Sequence, residues 1–262
     1  MPKASNNIPR RLGWCFRTAF FLLLLLILGA TAEVLVRGYW QVRHSVPFLK
    51  PGLILYAYYP ELRRVDKTGP AQGDEYHDIL ILGGSALTRR FSTVEAELRE
   101  QLAYEGYYKV RIFNLAVPGH TSRDSLLKYA SLDETRFELV VFYHGINEAR
   151  ANNVPPETFR EDYSHYSWYE IVNVLAPYHK TSSFALPYTL HFLTIRIRQT
   201  LNRNHYVPTH VVRPEWVQYG WNCRSKLSFE HNLKEILQLA SQRGDQVLLM
   251  TFATYLPPDY SH

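Results

Sequence analysis

The sequence predicts an α/β fold with a parallel sheet, preceded by one membrane-spanning helix. Three observations carry that expectation. Short apolar runs alternate with helical patterns from Ile79 to Phe252. The runs are continuous in apolar character, as strands covered on both faces require. An uncharged, leucine-rich stretch stands near the N-terminus behind a group of basic residues.

Lys3, Arg10, Arg11 and Arg17 precede the uncharged run from Thr18 to Ala32. They supply most of the formal net charge of +5, so the remainder is nearly neutral. A nucleic-acid binder needs a basic face on its folded domain. None is legible, and nucleic acid is not an expected partner. Residues 1–17 read as a cytoplasmic basic flank and 18–40 as a signal anchor that takes the membrane as partner. The uncharged run is short for a span of about 20 residues. Glu33 and Arg37, four apart on a helix, can pair and extend it. Trp14 and Trp40 sit where interfacial aromatics would lie. A cleavable signal ending at Ala30-Thr31-Ala32 competes with the anchor. In both cases the main domain is exported, to the periplasmic or extracellular side. Cys15 and Cys223 then lie on opposite sides of the membrane and do not pair. Cys223 is expected as a small buried residue.

Residues 41–75 read as a juxtamembrane linker, broken by Pro47, Pro51, Gly52, Pro60, Gly69, Pro70 and Gly73. Tyr56, Tyr58 and Tyr59 are expected against the domain or lipid headgroups. The domain proper is expected over 76–262. Ile79 to Leu82 is the first strand. Ser92-Thr-Val-Glu95 has the spacing of a capping box. It would open a helix that carries Leu98, Leu102 and Ala103 and stops at Gly106. Val110 to Leu115 is the second strand, and Thr121 or Ser122 caps the next helix through Leu126, Leu127 and Ala130. Leu139 to Tyr143 is the third strand. From about 149 to 225 the rhythm stops in a segment rich in Tyr, Trp, His and Pro. We read it as an insertion, either a packing subdomain or a wall over the site. Leu190 to Arg203 is expected there as a helix with Arg196, Gln199 and Arg203 on its polar side. The rhythm resumes with a helix from Leu227 to Ser241, with Phe229, Leu233, Ile236, Leu237 and Ala240 on its core side. Gly244 ends it, and Val247 to Phe252 is the fourth strand. Strands alternating with helices imply right-handed crossovers and a parallel sheet.

Each of the first three strands runs into a glycine-bearing polar turn. These are Gly83-Gly84-Ser85, Asn114 through Gly119 to Ser122, and His144-Gly145-Ile146-Asn147-Glu148. A parallel sheet puts all three on one edge. A hydroxyl, a backbone N–H and a side-chain amide can then converge, as attack on an ester requires. By itself Gly83-Gly84-Ser85 also suits a tight turn with a capping serine. A phosphate loop does not fit, because Gly-x-Gly-x-x-Gly and Gly-Lys-Ser/Thr are absent.

Together the three turns resemble the first three sequence blocks of the SGNH/GDSL hydrolases. That family has a flavodoxin-like, three-layer parallel sheet and cleaves or transfers acyl esters without metal or cofactor. The resemblance covers most of 78–149. It implies that Ser85 is the nucleophile. It also implies that the N–H groups of Ser85 and Gly119 and the Asn147 amide form the oxyanion hole. Gly84 and Glu148 depart from the family, which has Asp at both places. The family's general base lies in an Asp-x-x-His near its C-terminus, after a further helix and often a strand. Asp259-Tyr-Ser-His262 has that spacing but follows the fourth strand at once. The expectation is that the closing elements lie beyond His262. His120 and His144 adjoin the motif glycines, and neither is assigned as base. The substrate expected is a small-molecule, glycan or lipid ester. A polysaccharide O-acetyl transferase or esterase and a non-catalytic scaffold are the alternatives.

Overall fold

The computed structural model describes residues 8–68, 75–133, 135–202, 206–207 and 213–251. Four parallel strands form one sheet: β1 (His77–Gly83), β2 (Val110–Asn114), β3 (Leu139–Tyr143) and β4 (Gln246–Leu249), in the order β2-β1-β3-β4. β1 pairs in register with both neighbours, Ile81 opposite Asn114 on one side and Val141 on the other. The fourth strand ends earlier than its apolar run suggested, and Phe252 lies outside the described residues.

Alternation along β1 splits the core into two layers. Ile79 and Ile81 face Ile112, Val141 and the Leu98 and Leu102 side of α3 (Val94–Tyr104). Leu80 and Leu82 face Phe113, Val140 and Phe142. That face is covered by α4 (Ser122–Ser131) and α8 (Ser225–Arg243), through Leu126, Leu127, Ile236 and Ala240. Leu237, expected on the core side of α8, is instead 38% exposed. Gly106 and Gly244 follow α3 and α8 with φ of 88° and 76°, the left-handed conformation that ends helices cheaply in glycine.

The capping box expected at Ser92 does not form. The Thr93 hydroxyl donates to Glu97, and Glu95 turns away to bind Arg89. The reciprocal box occurs on α4, where Thr121 caps Arg123 N and Asp124 accepts from Thr121 N.

Helix α1 (Ile8–His44) contains the stretch Phe16–His44, whose most apolar window has mean hydropathy 2.5 and is not buried in the molecule. Among the described residues it is the one helix long and apolar enough to cross a membrane. Its C-terminal part is no free tether. Trp40 is 1% exposed and donates to Thr189 Oγ1 at 2.8 Å. The Glu33–Arg37 pair forms at 2.5 Å.

The segment read as a linker is packed into the domain over its described part. Ile54, Leu55, Tyr56, Tyr59, Leu62 and Val65 are all buried, in a 3₁₀ turn (Ile54–Ala57) and α2 (Leu62–Thr68). Its prolines break regular structure, yet the apolar residues between them reach the core. The aromatic insertion mainly does packing work. α6 (Ser167–Leu175) and α7 (Leu186–Leu201) enclose Trp40 with Ile171, Leu175, Tyr188 and Ile195. Helix α7 starts four residues before the sequence suggested, with Pro187 in its first turn. Gln199 is buried, donating to Ser167 O and Glu170, so it does not belong to the polar side. Arg203 lies outside the described residues. Cys223 is free and exposed, contrary to the expectation of burial. It sits between an exposed 3₁₀ segment, Pro214–Trp221, and the start of α8.

Candidate active site

Strand β1 delivers Ser85 to its carboxyl end in a 3₁₀ turn, Ser85–Leu87. Ser85 is exposed, while Gly83 and Gly84 beneath it are buried. Two bonds from Thr88, N–H at 3.2 Å and Oγ1 at 2.9 Å, converge on the Ser85 carbonyl and close the turn. Asn114 braces it from β2. Its amide donates to Leu87 O at 2.8 Å and to Glu95 Oε2 at 3.1 Å, and its oxygen accepts from Ala116 N. Burial pushes the Glu95 carboxyl up in pKa. Arg89, Asn114 and Arg99 more than offset this, so it lies below its ordinary value.

The second turn is tied to the first by Val117 N donating to Gly83 O at 3.2 Å. Gly119 has φ of 83°, a conformation that costs glycine little and other residues more. Gly145, at φ of 146°, starts the third turn and places Asn147 in the first turn of α5 (Ile146–Ala151).

Asn147 ties the three turns together. Its Nδ2 donates to His120 O at 2.7 Å. A Cβ built on Gly84 would stand 2.8 Å from the same nitrogen and 3.4 Å from His120 O. The amide therefore rests against the backbone that precedes Ser85. An amide nitrogen carries two hydrogens, and His120 O takes one. Gly84, Ser85 and Ala86 with Tyr143 to Asn147 line a small pocket of about 20 Å³, room for one water. This pocket lies between the ends of β1 and β3. The strand order reverses there, since β2 lies on one side of β1 and β3 on the other. Such switch points are where open α/β sheets bind ligands.

Of the three residues expected at the site, Ser85 and Asn147 line the pocket. Gly119 is not among the lining residues; its neighbour His120 meets the site only through the carbonyl that holds Asn147. No residue of the aromatic insertion is among the lining residues. Asp259 and His262 lie outside the described residues. His144 is turned inward, with Nε2 2.7 Å from Ser125 Oγ, and burial pushes its pKa down to about 3. It stays neutral and committed to the core. His120 sets Nδ1 2.8 Å from Lys128 Nζ.

Beneath the site lie charged groups that sequence reading missed. Asp124 is fully buried and accepts from Tyr59, Trp168, Thr121 and Tyr169. Burial raises its pKa, but His120, Lys128 and these donors more than offset it, so the carboxyl stays ionised. Lys128, also fully buried, pairs with Glu61 at 2.6 Å and donates to Leu115 O. Glu148 accepts from Ser122 N and so joins α5 to the start of α4. Burial raises its pKa, and the backbone donors only partly oppose that. The one local signal for any of this was Thr121-x-x-Asp124, a capping pattern. Asp124's other partners come from positions 59, 168 and 169, which no spacing rule connects.

No protein-family model, no curated protein and no solved structure matches this chain. Among the described residues, no three His, Cys, Asp or Glu side chains gather as a metal site.

Proposed function

We propose that the protein is a membrane-anchored serine esterase or acyl transferase of the SGNH type, acting outside the cytoplasm. One observation supports this above the others. The Asn147 amide rests against the backbone of Gly84, beside the exposed Ser85, at the switch point of a parallel sheet. The strand order β2-β1-β3-β4 matches the first four of the flavodoxin-like order. In the proposed reaction Ser85 Oγ attacks the acyl carbon and its proton passes to a general base. The carbonyl π electrons move to oxygen. That oxyanion takes hydrogen bonds from Ser85 N, Gly119 N and the second Asn147 N–H. Collapse expels the alcohol, which recovers the proton. Water or an acceptor hydroxyl then repeats the sequence on the acyl-enzyme. By resemblance the base is the histidine of an Asp-x-x-His. The basic residues before the uncharged run of α1 support an extracytoplasmic domain through the positive-inside rule.

A fluorophosphonate probe tests the reading. The wild-type protein is expected to be labelled, and Ser85→Ala is expected to lose the label. Equal labelling of both would refute Ser85 as nucleophile. A folded wild-type protein that takes no label would favour the non-catalytic scaffold.

A further inference from the structure

We propose that two loops beside α1 form a rigid collar seated in the headgroup layer of the bilayer, with Leu49 and Phe184 inserted and Lys50 and Lys180 on lipid phosphates. This rests on the reading of α1 as a membrane span. It goes further by fixing the depth and orientation of the domain.

The depth follows from counting along the helix. A hydrocarbon core of about 30 Å takes about 20 helical residues. Counted from Thr18, the far boundary falls at Arg37. Of the first charged residues after the uncharged run, Arg37 therefore stands at the exit and Glu33 about one helical turn inside it. Both are spent on the same two loops. Glu33 accepts from Ala185 N at 2.7 Å and Leu186 N at 2.8 Å, which caps α7. Arg37 donates to Ser183 O at 2.8 Å and Phe48 O at 3.3 Å. Residues 48 and 183–186 are thereby held at the level where the helix leaves the lipid.

The loops are also locked to each other. Lys180 N donates to Gly52 O at 2.8 Å, and Tyr188 OH donates to Pro51 O at 3.1 Å. A Cβ on Gly52 would lie 2.6 Å from Ser182 O, so the two backbones touch. Yet the tips carry large apolar side chains in the open. Leu49 is 85% exposed and Phe184 61%. At the same level of α1, Val34 and Leu35 are exposed as well. Lys50 and Lys180 flank these tips, and Lys180 also pairs with Asp133 at 2.6 Å. Exposed apolar tips with a cationic border suit a lipid interface. Their occupant is set by position: a bilayer crossed by α1 is present at this depth.

The experiment uses the full chain in nanodiscs of phosphatidylcholine with phosphatidylglycerol. Cys15 and Cys223 are replaced by Ser, and single cysteines are placed as Leu49→Cys, Phe184→Cys, Leu25→Cys and Tyr104→Cys. Each carries an environment-sensitive fluorophore, and lipids with a doxyl quencher near the headgroup or deep in the chain are added. Probes at 49 and 184 are expected to lose emission to the shallow quencher and to shift to the blue. A probe at 104 should stay bright, and one at 25 should respond to the deep quencher. Quenching at 25 with 49 and 184 as bright as 104 would overturn the collar while leaving the anchor intact. No quenching at 25 would overturn both. Cross-linking between copies through position 49, without quenching, would assign this face to a second copy and also overturn the collar.

Discussion

Gly84→Ala separates steric cause from backbone cause at the heart of the site. Gly84 has φ of −91° and ψ of −152°, an extended conformation open to alanine. No backbone penalty is expected. The added methyl would stand 2.8 Å from Asn147 Nδ2, whereas ordinary contacts fall near 3.5–4.0 Å. The amide must move by roughly 0.7 Å or more to reach that range. Its 2.7 Å bond to His120 O cannot survive that shift intact. Overpacking costs about 1–3 kcal/mol, and a lost hydrogen bond adds about 1 kcal/mol. The assay is a double-mutant cycle on stability with Asn147→Ala. With the amide gone, the alanine methyl has room. The coupling should then be about 2–4 kcal/mol, the whole cost of Gly84→Ala, with the double variant no worse than its worse parent. If Asn147 serves the oxyanion, Gly84→Ala should also cut the rate of probe labelling by about 10²–10³. Additive stabilities with an unchanged labelling rate would refute the geometry. Gly84→Asp, which introduces the residue that SGNH/GDSL hydrolases carry in the motif this turn resembles, should be no milder, because its Cβ meets the same nitrogen.

Other perturbations bear on the scaffold. Glu33→Ala removes the cap on α7 and the Arg37 pair, and should cost about 2 kcal/mol in a thermal melt in detergent; an unchanged melt would contradict the docked helix. Asp124→Asn removes one of the two carboxylates beside Lys128, leaving its pair with Glu61, and turns an amide N–H toward hydroxyl and indole donors. A loss of about 1–3 kcal/mol is expected from the donors left unsatisfied, and a stability equal to wild type would count against the buried network. Burial lowers His144 to about 3, and His165 and His179 to about 4. Below about pH 6.5 the unfolded chain takes up protons that the folded chain refuses. Stability should therefore fall as pH drops from about 6.5 toward 4, by up to about 1.4 kcal/mol per unit for each histidine. A denaturation midpoint that is flat or rising over that range would refute it.

Much of the fold was legible because its signals are local. The β3 run from Leu139 to Tyr143 and the glycine stops at 106 and 244 depend on neighbours in sequence. So did the Glu33–Arg37 pair. What failed depended on distant partners. Ser92-Thr-Val-Glu95 had the pattern of a cap, but Arg89 and Asn114 offered Glu95 stronger bonds. The prolines between 47 and 70 suggested a spacer, while the apolar residues among them found two cores: Ile54 packs with α1, α6 and α7, and Leu55, Tyr56, Tyr59, Leu62 and Val65 pack with the sheet and α4. Gln199 looked solvated until Ser167 O and Glu170 came within reach. At the site, three strand-end turns could be placed on one edge from topology alone. The brace from Asn147 to His120 O and the steric reason for Gly84 arise from how the three turns pack, which no local pattern specifies.

The most direct measurement is mapping the covalent adduct after fluorophosphonate treatment of the full-length protein, by intact mass and peptide sequencing. One adduct is expected, on Ser85, absent in Ser85→Ala and slowed by about 10²–10³ in Asn147→Ala. An adduct on another residue, or a rate indifferent to Asn147, would contradict that expectation.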